Sequence, residues 1–351
     1  MPIDFSRLLP LGWSNFFSTQ IPLEALDRVR PARVVRVERE RYGVDAGAGE
    51  FFATLAGRYR HEHEGEALPT VGDWVLLATD DPVIVQCLER RTLIARRAAG
   101  GVERQAVAAN IDLMVVVGGL DAEFNVHRIE RYLVMAAQAQ VTPLVLLTKA
   151  DLVDDPAPAL EQVRARLPAG AEALAVNALR DPLAEALAPW LAAGTTLVVV
   201  GSSGVGKSTV VNNLAGGPVQ ATAATGHDAK GRHTTTARSL VRLPGGACII
   251  DVPGMREVGL AGEGGVGRQF RSIAELAAGC HFADCTHQTE PGCAVRDAVE
   301  RGELDADTWA HYHKLLAEER HNVAEHERRR RERVFGRLVR EALAVKKKDP
   351  R

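Results

Sequence analysis

Residues 196–209 read TLVVVGSSGVGKST, and this stretch decides the fold. Thr196 to Val200 is an apolar, β-branched run of the kind that a sheet buries on both faces. Gly201 to Thr209, GSSGVGKST, matches G-x-x-x-x-G-K-[ST]. Thr209 to Leu214 continues as the first turns of a helix. Strand, glycine-rich loop and helix, in that order, is the context this motif requires. Glycines let the backbone curl so that several N–H groups face one polyphosphate, and the helix N-terminus adds partial positive charge. The pattern assigns phosphate contacts to Gly201, Ser202, Ser203, Gly204, Val205, Gly206, Lys207, Ser208 and Thr209. Lys207 would also serve catalysis by reaching the β- and γ-phosphates, and Ser208 would offer its hydroxyl to Mg²⁺.

Upstream, apolar runs alternate with helical spacing. Ile111 to Val117, Pro143 to Leu147 and Ala173 to Val176 read as strands; 126–140, 157–168 and 182–191 read as helices. That alternation predicts a mostly parallel sheet covered by helices on both faces. The strand at 143–147 ends in Thr148-Lys149-Ala150-Asp151, similar to the NKxD base-reading motif. The Asp151 carboxylate can accept from both N1–H and the 2-amino group of guanine. Adenine presents neither donor and would leave the carboxylate unsatisfied, at about 1–3 kcal/mol. The Lys149 stem would lie along the base, and Thr148 stands where the pattern usually has Asn. Asn177 and Ala178 fall where a loop backs the guanine.

Downstream, Ala247 to Ile250 ends in Asp251-Val252-Pro253-Gly254, a DxxG match. Asp251 would hold Mg²⁺ through water, and the Gly254 N–H would sense a γ-phosphate. Between the two motifs lies Gly231 to Thr236, GRHTTT. One of Thr234, Thr235 and Thr236 is expected to ligate Mg²⁺; the sequence leaves the choice open. The base motif therefore precedes the phosphate loop, whereas ordinary GTPases place it last. This is a circular permutation. It preserves the sheet because chain termini commonly lie close together, and it makes DxxG lead directly into the C-terminal domain.

The remaining sequence brackets this core. Residues 1–31 form an N-terminal segment in which Trp13, Phe16 and Phe17 could dock a short helix on a neighbour. Residues 32–98 carry about five short strands, including Arg33 to Arg39, with a glycine-punctuated turn over 43–50. They read as a small β-barrel of OB type. Such barrels commonly bind nucleic acid. Arg90, Arg91, Arg96 and Arg97 would suit phosphate contacts or be ordinary surface arginines; His61 and His63 read as solvated. Residues 99–275 form the permuted α/β domain, and 276–351 a mostly α domain. Within the last, Cys280-x4-Cys285-x-His287-x5-Cys293 is a closed Cys3His set for one structural Zn²⁺, with His281 as an alternative ligand. The chain has five cysteines, an odd count that points to a reducing compartment and a metal site instead of disulfides. A segment over 307–316 and a long helix over 317–345, with Arg328 to Arg331 and Lys346 to Lys348, complete the chain. Residues 320–351 carry 12 Lys/Arg against 5 Asp/Glu, a net of +7, so the −2 of the whole chain leaves −9 for the rest. An acidic body with a basic tail fits a polyanionic partner or a solvated helix. No apolar run is long enough to span a bilayer.

The barrel, the permuted order, GRHTTT, DVPG and the knuckle with its EPGCAV context resemble the small-ribosomal-subunit biogenesis GTPases of the RsgA/YjeQ type. The resemblance runs from about residue 32 to 320. It implies a cytoplasmic GTPase, monomeric and with no membrane partner. Such an enzyme binds the 30S subunit during late maturation and hydrolyses GTP slowly alone and faster on the subunit. It also implies that barrel, zinc domain and C-terminal helix contact 16S rRNA. Met255 follows DVPG where Ras-type enzymes place a water-orienting Gln. A thioether cannot orient water, so a group must come from elsewhere, and His233 is the candidate. The alternative is a nucleotide-gated rRNA-binding checkpoint protein in which hydrolysis only resets binding.

Overall fold

The computed structural model describes residues 3–38, 41–97, 104–218, 238–251, 264–324 and 328. Two compact units emerge: residues 1–95 with 106–258, and residues 96–105 with 259–351.

In the first unit, β1 (Val29–Val37), β2 (Tyr42–Asp45), β3 (Glu50–Leu55), β4 (Trp74–Ala78) and β5 (Val83–Cys87) close into a ring. β1 pairs with β2 and β4, β2 with β3, β3 with β5, and β5 with β4. A closed ring leaves no unpaired edge along its seam. The expected barrel is thus present, and its first strand begins at Val29. The span read as a turn from Gly43 instead holds β2. Tyr42 and Val44 alternate inward and join Val34, Ala53, Val75 and Ile84 in the barrel core.

The N-terminal segment packs against this barrel. Leu8, Leu11, Trp13, Phe17 and Ile21 cluster with Trp74, Leu76 and Leu88, and Trp13 meets Trp74 edge-on at 4.7 Å. Phe16 stays exposed. Arg90 is not a free phosphate contact. Its guanidinium grips the fully buried Asp73 through two bonds of 2.8 and 2.7 Å and donates to the Glu66 and Leu68 carbonyls. Arg91 pairs with Asp112. His63 is stacked on Tyr59, with ring centroids 4.0 Å apart, and is therefore not simply solvated.

After a two-stranded ribbon of β6 (Leu93–Arg97) and β7 (Arg104–Ala109), the α/β sheet begins. Its strands are β8 (Leu113–Gly119), β9 (Thr142–Thr148), β10 (Glu172–Ala175), β11 (Thr196–Gly201), β12 (Arg238–Arg242) and β13 (Cys248–Asp251). Their spatial order is β10-β9-β8-β11-β13-β12. The first five are parallel, and β12 is antiparallel to β13. All seven residues of β8 are buried, which is why these strands read as continuous apolar runs. Each buried Val or Leu contributes about 1.5–3 kcal/mol. β12 also pairs with β1 through Arg36 and Val37, so barrel and sheet are hydrogen-bonded into one surface.

Helices Val126–Ala139, Ala157–Arg164 and Lys207–Ala215 cover the sheet. The helix expected over 182–191 is broken into Leu183–Ala186 and a 3-10 turn at Ala188–Trp190. Pro189 is the cause, because it lacks the N–H that would continue the ladder.

The second unit holds helices Gly265–Gln269, Arg271–Ala277 and Ala294–Glu300. One helix then covers 306–324, where two segments had been read. The buried Glu319 on it accepts from the Gly265 and Val266 amides at 3.0 and 3.4 Å. Among the described residues, no helix is long and apolar enough to cross a membrane.

Candidate functional site

Register brings the motif-bearing strand ends to one edge of the sheet. Gly119 of β8 lies opposite Thr148 of β9, and Gly201 of β11 opposite Val117 of β8. β8 to β10 progress one way and β11 to β13 the other, so the crevice at the β8/β11 switch is where a parallel sheet takes its ligand.

The phosphate loop leaves β11 at Gly201, whose φ is +149°. A Cβ there would collide with the Val117 carbonyl of the neighbouring strand, so only glycine fits. Gly206, at φ +93°, caps the helix that begins at Lys207. Lys207 Nζ donates to the Ser202 carbonyl and is thereby held across the loop. Ser208 and Thr209 sit in the first helical turn. Tyr132 and Ser202 line one cleft, and burial pushes the Tyr132 phenol pKa up.

On the base side, Thr148 is 1% exposed. Its hydroxyl lies 2.6 Å from the Val205 carbonyl and 3.1 Å from the Gly118 carbonyl. It therefore ties the strand end to the phosphate loop from below. Lys149 follows with φ +59°, a left-handed conformation uncommon outside glycine. Its ammonium reaches Asp121 Oδ2 at 2.5 Å. Asp151 is exposed on the next turn. Asn177 and Ala178 follow β10; the Asn177 amide donates to Asp181 Oδ2 at 2.6 Å. Asn213, on the phosphate-loop helix, donates to the Ala178 and Asp181 carbonyls at 3.0 and 2.9 Å. One helix thereby fixes both the phosphate loop and the turn expected behind the base. Asp121, Tyr132 and Asn213 carry no sequence signal, because their partners are distant in the chain.

Asp251 ends β13, beside β11. Its side chain, Gly254, Met255 and the GRHTTT residues His233, Thr234, Thr235 and Thr236 lie outside the described residues, as do Arg329 to Arg331 and Lys346 to Lys348. Of the donors expected for a hard cation beside a phosphate, the serine hydroxyl of Ser208 stands on the first helical turn, and the neighbouring strand β13 ends at Asp251.

In the second unit, Cys280, Cys285, His287 and Cys293 converge, with all ligand atoms within 4.8 Å of one another. His287 Nδ1 lies 3.5 Å from Cys280 Sγ and 3.4 Å from Cys293 Sγ. Three thiols and one imidazole at this separation fit tetrahedral zinc. His281 is not in the cluster; its ring packs against Phe282. Burial lowers the His287 pKa, which favours the neutral ring a metal requires. Glu290 accepts from the Thr286 amide and hydroxyl at 2.8 and 2.5 Å, and from the Gln288 and Thr289 amides. These bonds, Thr286 first, hold its carboxyl well below the usual range.

Comparison with known proteins agrees with this geometry. A sequence model of the RsgA GTPase family matches residues 87–261. The chain is 42% identical to Small ribosomal subunit biogenesis GTPase RsgA 2 of Vibrio vulnificus, over 97% of this chain and 96% of that one. It is 44% identical to Small ribosomal subunit biogenesis GTPase RsgA of Opitutus terrae, over 89% of each. The fold is shared with the crystal structure of YjeQ from Thermotoga maritima, at TM-score 0.62 and 24% identity over 83% of this chain and 98% of that one. It is also shared with YloQ, titled a circularly permuted GTPase, at TM-score 0.59 and 23% identity over 83% and 95%. The permuted motif order, the sheet edge that gathers it and near full-length similarity agree: this chain is a member of the RsgA family of circularly permuted GTPases.

Proposed function

We propose that this GTPase acts on the 30S ribosomal subunit during its late maturation and turns over GTP faster when bound to it. One observation carries the reading. The base motif, the turn at 177–178 and the phosphate loop converge on one sheet edge, in a chain that matches relatives named small ribosomal subunit biogenesis GTPases along nearly its whole length.

The groups divide the work as follows. Asp151 reads guanine, with Lys149 along the base, Thr148 beneath the loop, and Asn177 and Ala178 behind the base. Amides of Gly201 to Thr209 hold the phosphates, and Lys207 stabilises charge on the γ-phosphoryl oxygens as water attacks in line. Ser208, Asp251 and one of Thr234, Thr235 and Thr236 would hold Mg²⁺, with the Gly254 amide at the γ-phosphate. Mg²⁺ supplies neutralisation of the charge that develops on the phosphate oxygens. Met255 cannot orient water, so His233 supplies that function when the subunit is bound. Cys280, Cys285, His287 and Cys293 hold one Zn²⁺ that shapes the knuckle. The barrel, the knuckle and the basic segment from Arg328 onward contact 16S rRNA, with the protein acting as a cytoplasmic monomer.

The test is GTP turnover with and without purified 30S subunits, with 50S subunits and ATP as controls. Stimulation by 30S alone is expected. Negligible turnover on 30S, with GTP still bound, would leave a nucleotide-gated rRNA-binding protein instead.

A further inference from the structure

We propose that Asp121 is a positioning residue for guanine recognition: from the end of β8 it fixes the Lys149 side chain where that side chain lies along the base. The inference rests on reading Thr148 to Asp151 as the base motif and adds a residue that the motif does not contain.

The geometry is specific. Asp121 follows the β8 exit, Gly118-Gly119-Leu120. The Leu120 amide donates to the Thr148 carbonyl at 2.9 Å, so the exits of β8 and β9 stay paired beyond the sheet. Asp121 divides its two oxygens. Oδ1 accepts from the Glu123 amide at 3.0 Å, which orients the carboxylate. Oδ2 accepts from Lys149 Nζ at 2.5 Å. A Cβ at Gly119 would stand 3.2 Å from Oδ2, so glycine leaves the carboxylate room to fold back over the strand end. The Lys149 ammonium and the Glu123 amide both lower the Asp121 pKa, the ammonium more, so the carboxylate stays charged at neutral pH.

A free lysine side chain carries substantial rotamer entropy. A stem that must lie flat against a base would lose that freedom on binding. Asp121 removes it beforehand, which is preorganisation and raises affinity without any new contact to the ligand. The left-handed backbone at Lys149 points to the same demand, because strain of this kind persists only where the surroundings over-determine it. The pair is also mutually dependent. Loss of Lys149 would remove the cation that Asp121 pairs with among the described residues.

The test is a double-mutant cycle in the full-length protein, read by calorimetric titration with GDP. The variants are Asp121→Ala, Lys149→Ala and the pair, with Asp121→Asn as the near-isosteric replacement and thermal unfolding as the folding check. Asp121→Ala should weaken GDP binding roughly five- to tenfold in the wild-type background and less than about twofold in the Lys149→Ala background. Asp121→Asn should fall between wild type and Asp121→Ala and carries the cycle if the alanine variant fails to fold. Equal weakening by Asp121→Ala in both backgrounds would overturn the proposal, since a purely structural residue behaves that way. No weakening in the wild-type background would overturn it as well. If Lys149→Ala itself leaves GDP binding unchanged, the reading of the base motif fails and the proposal falls with it.

Discussion

Lys149 and His287 have nearly the same unusual backbone, with φ of +59° and +61°, yet opposite kinds of surroundings hold them there. Lys149 stands at the end of a buried strand. The Leu120 amide on the Thr148 carbonyl, the Thr148 hydroxyl beneath the phosphate loop and the Asp121 carboxylate all constrain it. His287 stands in a short polar loop. There the organising contacts are the Glu290 carboxylate and the shared approach of three thiols. A left-handed residue of this kind costs about 1–3 kcal/mol and persists only when something else fixes it. In the sheet, packing and hydrogen bonds do so. In the knuckle, the local sequence has little apolar surface to bury, and on the proposed reading a metal would supply the difference. The base-side edge is therefore held by packing and hydrogen bonds among the described residues, whereas the knuckle, on the proposed zinc reading, would be organised by its ion.

The largest test of that contrast is removal of zinc. Apparent binding energies for structural zinc are about 10–16 kcal/mol in finger peptides, far more than the loop contacts can replace. Stripping the ion with a chelator should abolish hydrogen-exchange protection across 280–293 and leave GDP affinity within about twofold. Equal loss of GDP binding would show that the two sites do not stand on separate foundations.

A smaller effect is expected from Thr148→Val. It removes a buried hydroxyl from the Val205 carbonyl while keeping the side-chain volume. Leaving that carbonyl unsatisfied should cost about 1–3 kcal/mol, read as a lower thermal midpoint with weaker GDP binding. An unchanged midpoint would mean that packing alone positions the phosphate loop.

The smallest is Glu290→Gln. The amide keeps one acceptor oxygen but loses the charge that gathers the Thr286, Gln288 and Thr289 donors. Competition with a chromogenic chelator should show zinc affinity about tenfold weaker, in the range typical for groups that orient metal ligands. No change would place the whole organisation of the knuckle on its four ligands.

The same contrast explains what was legible beforehand. The phosphate loop, TKAD, DVPG and the Cys3His spacing are local patterns, each complete within a few residues. The parallel sheet was readable because strands buried on both faces leave long apolar runs. β12 was not, because Arg238–Arg242 buries only Leu240 and carries an arginine at each end. Its pairing with β1 joins residues about two hundred positions apart. Arg90 illustrates the opposite error. A basic residue near a barrel reads as a phosphate contact, but its partner Asp73 is 17 positions away and fully buried. Asp121 was invisible for the same reason: its role exists only because β8 and β9 end side by side.

The most direct measurement is nucleotide preference after Asp151→Asn. If Asp151 reads the base at this sheet edge, hydrolysis should shift from GTP toward xanthosine triphosphate, because the new amide can donate to the 2-oxo group where the carboxylate could only accept. Undiminished GTP preference in a folded Asp151→Asn protein would contradict the account and place base recognition elsewhere.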